Sequence, residues 1–231
     1  VSDKGSITDK NKAVLLNNEI DWEEGSHTLD LILNADEVIK SPGIPDGIEL
    51  IQQINNKGIS IVPEVEFAFR YTNAKIAAIT GSNGKTTTTL LLGHTLKNAG
   101  YDVLIAGNIG VGFASSIAER DYDYIVLELS SFQLDGIKEF RSDIAILLNI
   151  TPDHLDRYNN KLEQYAGSKF RITENQTEHD VLILNADDTI VNKINTDNVL
   201  LLNGDAIFDL NINSIYNNHS KKKIGITFLS S

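Results

Sequence analysis

The sequence predicts an α/β protein built on a mainly parallel sheet. Three observations carry this. Short apolar runs of strand length recur along the 231 residues. Between them lie stretches whose apolar residues follow helical spacing, and such crossovers are what parallel strands need. One apolar run, "IAAIT", ends in a glycine-bracketed turn that leads straight into an amphipathic segment. Strands of this kind, buried on both faces by helices, read as continuous apolar runs.

Taken in order, "AVLLN" (13–17) reads as a short strand, and "DEVIKSPGI" (36–44) contains another. Residues 47–57 read as a helix with Ile48, Leu50, Ile51 and Ile54 on one stripe. "ISIVPE" (59–64) is a strand, and 64–70 is a short helix before the linker "RYTNAK" (70–75), where the composition shifts. That shift places the domain boundary, giving a first domain of 1–72 and a second of 73–231. In the second series, 76–80 is strand and 85–99 is helix, stopped by Gly100. Strands follow at 102–108, 124–130, 143–150, 180–188 and 198–203. Helices fall at 111–120, 133–139, 152–158 and 161–176. The Asn-rich tail yields no motif.

Composition narrows the function. The formal net charge of −12 repels nucleic acid, so no nucleic-acid partner is expected. No apolar run is long enough for a membrane span, and the polar opening "VSDKGSITDKNK" is no signal peptide. Cysteine is absent, which excludes disulfides and thiolate metal sites and agrees with a cytoplasmic location. The chain holds no methionine and opens as though in mid-element, so a piece of a longer protein is expected. The same negative field repels polyphosphate; a phosphate ligand would need a local device.

The turn "TGSNGKT" offers one. Gly81 and Gly84 let the backbone approach an anion, and the following helix start points its amides and dipole at it. Lys85 would reach outer phosphates, and Thr86 or Thr87 could offer a hydroxyl to Mg²⁺. The common P-loop spacing would need glycine at position 79, which is Ile79; a plain strand-to-helix turn is the alternative. Glu128 interrupts the apolar "IVLELSSFQ", and a buried carboxylate there calls for a partner or a cation. The competing reading is a glutamate emerging into solvent. His154 lies in "NITPDHLDRY", where Thr151 suits an N-cap and Pro152 the first helical position. It is either structural or a neutral ring open to metal or proton. Lys169 falls on the apolar stripe of its helix, which by spacing alone suits a snorkelling side chain.

Six motifs stand in order: "TGSNGKTTTT", "AGNIG", "VLELSSFQL", "LNITPDHLDRY", "SKFRI" and "LNADD". Together they resemble the central domain of the Mur ligases, bacterial cell-wall synthetases, strongly over 76–188 and more weakly through "SPGIP" (41–45) back to "VSDKG" (1–5). The resemblance implies a partial Rossmann-like, uridine-nucleotide-binding N-terminal domain, its start missing, followed by a P-loop-type, ATP-binding α/β central domain. It implies that Gly81, Ser82, Asn83, Gly84, Lys85, Thr86 and Thr87 bind ATP. Two Mg²⁺ ions are implied, one near Thr86 and Glu128, the other at His154 and a carbamylated Lys169; Lys85, His154 and Lys169 would be the catalytic set. Ser2, Asp3, Ser41, Pro42, Gly43, Asn108 and His154 resemble substrate-binding positions.

"LELSSFQL" and "DHLDRY" are most similar to the family member that adds D-glutamate to UDP-MurNAc-L-Ala. That chemistry forms an acyl phosphate from ATP, which the D-glutamate amine then attacks. A cytoplasmic monomer is expected. The family also carries a strand and glycine loop before "VSDKG" and a third, amino-acid-binding domain; without them these residues would bind nucleotides but not complete ligation. Another Mur or folylpolyglutamate-type ligase, a P-loop NTPase and a non-catalytic nucleotide-binding fragment stay open.

Overall fold

The computed structural model describes residues 1–185, 187–193 and 199–202. The chain divides into two compact units, Val1–Val62 and Pro63–Ser231.

The first unit runs β1 (Ser2–Asp3), α1 (Asp9–Asn17), β2 (Glu23–Glu24), α2 (Leu29–Ile32), β3 (Glu37–Ile39), α3 (Glu49–Asn56) and β4 (Ser60–Val62). Its strands form two separate parallel pairs, β1 with β2 and β3 with β4. The helix expected over 47–57 is α3; Ile51 and Ile54 are its buried residues, while Ile48 is exposed. "AVLLN", expected as a strand, is instead the second half of α1. Thr8 caps that helix by accepting the Asn11 N–H at 3.3 Å, and Asp9 suits the positive end of its dipole. No residue of α1 is buried, so no apolar pairing was available to hold an extended strand there.

The second unit runs α4 (Glu64–Phe69), β5 (Lys75–Thr80), α5 (Lys85–Asn98), β6 (Val103–Gly107), α6 (Phe113–Glu119), β7 (Tyr124–Glu128), α7 (Ser131–Leu134) and β8 (Ile144–Leu147). It continues through a 3-10 turn at Leu155–Tyr158, α8 (Leu162–Phe170), a 3-10 turn at Arg171–Thr173, β9 (Val181–Asn185), a further 3-10 turn at Val191–Lys193, and β10 (Val199–Leu202). The division from the first unit falls before α4, upstream of the composition shift at 70–75. Glu66 of α4 explains why this helix goes with the second unit. Its buried carboxylate accepts the N–H groups of Lys138, Glu139 and Phe140 at 2.8, 3.0 and 2.9 Å.

Six strands form one parallel sheet in the order β10-β9-β8-β5-β7-β6. From β5 the chain fills one side with β6 and β7, then crosses to the other with β8, β9 and β10. The carboxyl end of β5 is therefore the switch point, where open α/β sheets leave a crevice. The strands are buried on both faces. Ile76, Ala78, Ile125, Leu127 and Ala145 join the larger core with Phe113, Phe140 and Tyr165. Ile79, Val103 and Val126 pack on the opposite face beneath α5. Among the described residues no helix is long and apolar enough to cross a membrane. Ala186 of "LNADD" and the motif-free tail from Asn203 lie outside the described residues.

Candidate functional site

The crevice is built by four chain segments that leave the carboxyl ends of β5, β6, β7 and β8. The first is the turn Gly81–Gly84. Gly81 has φ +153° and Gly84 φ +83°, conformations that disfavour a side chain. A Cβ on Gly81 would also sit 3.0 Å from the Leu148 Cβ, too close for ordinary packing. The turn is tied to the segment after β8. Ser82 N–H donates to the Asn149 carbonyl at 2.9 Å, and Asn83 N–H donates to Asn149 Oδ1 at 2.8 Å. Asn149 Nδ2 donates back to the Asn83 carbonyl at 3.0 Å.

Ser82 Oγ accepts the Thr151 N–H and donates to the Thr151 carbonyl, both at 2.9 Å. Its single proton is thereby used, so the Tyr165 hydroxyl, 3.1 Å away, must be the donor in that contact. Burial pushes the Tyr165 phenol up, which keeps that proton in place. Asp188, three residues past the end of β9, steadies the same segment by accepting the Ile150 N–H at 2.8 Å.

Two ammonium groups meet at the Gly81 carbonyl. Lys85 Nζ donates to it and to the Ser82 carbonyl, each at 2.9 Å. Lys169 Nζ reaches it from α8, also at 2.9 Å, and lies 4.6 Å from the centre of the Tyr165 ring. Lys169 is 2% exposed, so the snorkelling alternative does not hold: its amine ends against the turn, away from bulk water. Burial first, then the neighbouring Lys85 charge, lowers Lys169 to about 8, with Asp153 and Asp135 opposing.

Glu128, at the end of β7, is 2% exposed and does not emerge into solvent. Thr86 Oγ1 donates to its Oε2 at 2.8 Å, and Asn108 Nδ2 donates to its Oε1 at 3.0 Å. Of the two candidate threonines, Thr86 is the one that reaches the carboxylate. Gly107 allows Asn108 to come so close. It has φ +102°, and a Cβ there would lie 2.3 Å from the Glu128 carbonyl oxygen.

His154 differs from expectation. Thr151 and Pro152 do not begin a helix; His154 itself is the N-cap of the 3-10 turn, at φ +47°. Its side chain is 62% exposed, 3.6 Å from Asp153 Oδ2 and against Phe132 with ring centres 5.8 Å apart. Among the described residues no group of three or more His, Cys, Asp or Glu gathers as a ready metal cluster.

The remaining expected positions belong to the first unit. A cavity of about 830 Å³ is lined there by Ser2, Asp3, Ser41 and Gly43, but not by Pro42. Sequence reading missed Asn149, Tyr165 and Asp188. A signal existed for Asn149, a polar residue closing the apolar run "DIAILL".

Comparison with known proteins gives one consistent result. The family model described as the Mur ligase middle domain matches residues 79–228, and that of the MurD N-terminal domain matches residues 1–49. A Bacteroides fragilis protein named UDP-N-acetylmuramoylalanine--D-glutamate ligase is 55% identical over 193 residues, covering 84% of this chain and 44% of that protein. A Bacteroides thetaiotaomicron protein of the same name is 55% identical over 191 residues, covering 83% and 43%. The chain thus spans less than half the length of these relatives. Among solved structures, the UDP-N-acetylmuramate:L-alanyl-gamma-D-glutamyl-meso-diaminopimelate ligase from Neisseria meningitides superposes with a TM-score of 0.55 at 17% identity. It is covered over 65% of its length, by 83% of this chain, and it speaks for the fold alone.

Proposed function

This chain belongs to the Mur ligase family, and on that premise we propose that it supplies the ATP and sugar-nucleotide sites of a ligase joining D-glutamate to UDP-N-acetylmuramoyl-L-alanine. One observation carries the reading. A buried carboxylate, Glu128, and the Thr86 hydroxyl meet at 2.8 Å beside a glycine turn at the switch point of a parallel sheet. The choice of D-glutamate is supported by the MurD N-terminal match and by the names of relatives at 55% identity.

The amides at the α5 start receive the triphosphate, those of Ser82 and Asn83 being spent on Asn149. Lys85 leaves its two carbonyls to meet the outer phosphates. Thr86 and Glu128 offer hard oxygen donors that would fit Mg²⁺. Held there, the ion would supply positive charge against the phosphates, which the approach of an anionic muramoyl carboxylate to form an acyl phosphate demands. A second ion would lie at His154 and Lys169. The buried Lys169 amine, lowered to about 8, is neutral often enough to add to CO₂. A nitrogen–carbon bond forms, a proton leaves to water, and an anionic carbamate results. In the second unit Asn108 is a substrate-binding position; in the first, Ser2, Asp3, Ser41, Pro42 and Gly43 are uridine-nucleotide-binding positions. A cytoplasmic, monomeric enzyme follows from the same reading.

The test is phosphate release by the full protein carrying this chain, given ATP, Mg²⁺, UDP-MurNAc-L-Ala and one amino acid at a time. Release is expected with D-glutamate alone. Release with L-alanine, lysine or diaminopimelate instead would make it another ligase of the family. Release with no amino acid would make it an NTPase, and none under any condition a binding module.

A further inference from the structure

The pairing of β5 with β8 ends at Thr80 and Leu147, yet the hydrogen-bond ladder does not stop there. Leu148 N–H donates to the Thr80 carbonyl at 3.0 Å, and Ser82 N–H donates to the Asn149 carbonyl at 2.9 Å. At the next step the backbones part. The Asn149 carboxamide takes over, accepting from Asn83 N–H at 2.8 Å and donating to the Asn83 carbonyl at 3.0 Å. We infer that Asn149 is a positioning residue whose side chain stands in for a missing strand neighbour and fixes the peptide planes on both sides of Asn83.

Only a group with one acceptor and one donor side by side satisfies both bonds. Aspartate at this position keeps the acceptor but turns an oxygen toward the Asn83 carbonyl, and alanine offers neither. The packing of Gly81 against Leu148 shows that the same short segment shapes both ends of the turn. Ser82 and Thr151, bonded twice, complete the tie. The turn backbone that leads into the α5 start is thus held in place before any anion arrives, which is how a binding site avoids an ordering cost. This inference rests on the proposal that the turn grips phosphate.

The experiment measures amide hydrogen exchange at Asn83 and binding of ATP with Mg²⁺, using the full protein carrying this chain and its Asn149→Asp and Asn149→Ala variants. In the wild type the Asn83 amide is expected to exchange slowly. In Asn149→Ala that protection is lost. In Asn149→Asp the ATP Kd is expected to rise about tenfold or more, from one broken bond and one repulsive contact. Lowering the pH into the carboxylate range restores it, because protonated aspartate again has a donor beside an acceptor. A merely structural role would show no such recovery relative to the wild type at each pH. Free exchange at Asn83 in the wild type overturns the inference without any variant having to fold. So does wild-type ATP affinity in Asn149→Asp. A wild type that fails to bind ATP sinks the nucleotide reading instead, and the positioning role with it.

Discussion

The two units solve the same architectural problem with unequal means. In Pro63–Ser231 a six-stranded parallel sheet carries apolar side chains on both faces. In Val1–Val62 the strands stand in two separate pairs of two or three residues. The buried hydrophobic residues there are Ile7, Ile51, Ile54 and Val62. Val14 is 52% exposed and Leu16 66%. Isolated two-stranded pairs are marginal in water. The difference teaches where polar groups can be buried with effect. The second unit holds Glu66, Glu128 and Lys169 out of water because a continuous core surrounds them. The first unit presents its polar residues around an open cavity.

The contrast breaks most visibly at Glu66. Replacing it with alanine leaves three N–H groups, that of the buried Phe140 among them, without their acceptor, and the second unit is expected to lose about 3 kcal/mol in denaturant unfolding. A loss below about 1 kcal/mol would mean that the 138–140 segment finds water, and that the core is less closed than described.

Lys169→Met tests the same closure from the other side. The folded lysine sits near 8 against 10.5 for the free side chain, so the unfolded chain binds more protons between those values. Wild-type stability therefore rises with pH through that window. In bicarbonate-free buffer the methionine variant is expected to be more stable by about 2 kcal/mol at pH 7. Its advantage shrinks from pH 8 upward and vanishes near 10.5. A gain that stays constant across that range would place the lysine in water.

The smallest effect belongs to the first unit. Leu16→Lys changes a large apolar residue on α1 yet is expected to move stability by less than about 0.5 kcal/mol, since α1 buries nothing. A larger loss, read from the same unfolding curve, would reveal that α1 is covered.

Legibility in the sequence followed the same division. The strand-turn-helix of β5 and α5 could be read because Gly81, Gly84 and Lys85 are each demanded by local geometry. Lys169 was legible as an oddity, being a cation on an apolar stripe. What it touches was not, because Gly81 lies 88 residues away in sequence. Glu66 was invisible for the same reason: its partners begin 72 residues further on. In the first unit the apolar run of α1 imitated a strand, and only the Thr8 cap argued otherwise. His154 was placed in the right segment but the wrong conformation, since Thr151 spends its N–H and its carbonyl on Ser82 and does not open a helix.

On the proposed reading, the Gly81 carbonyl, shared by two ammonium groups, gives the second unit a built-in order of events. While both cations crowd one oxygen, burial first and then the Lys85 charge make Lys169 less welcome to hold its proton. An anion that draws Lys85 outward relieves that crowding and returns basicity to Lys169. Any chemistry requiring a bare amine at Lys169 is therefore easiest before the anion docks, and the sequence of arrival at this crevice is written into a single peptide oxygen.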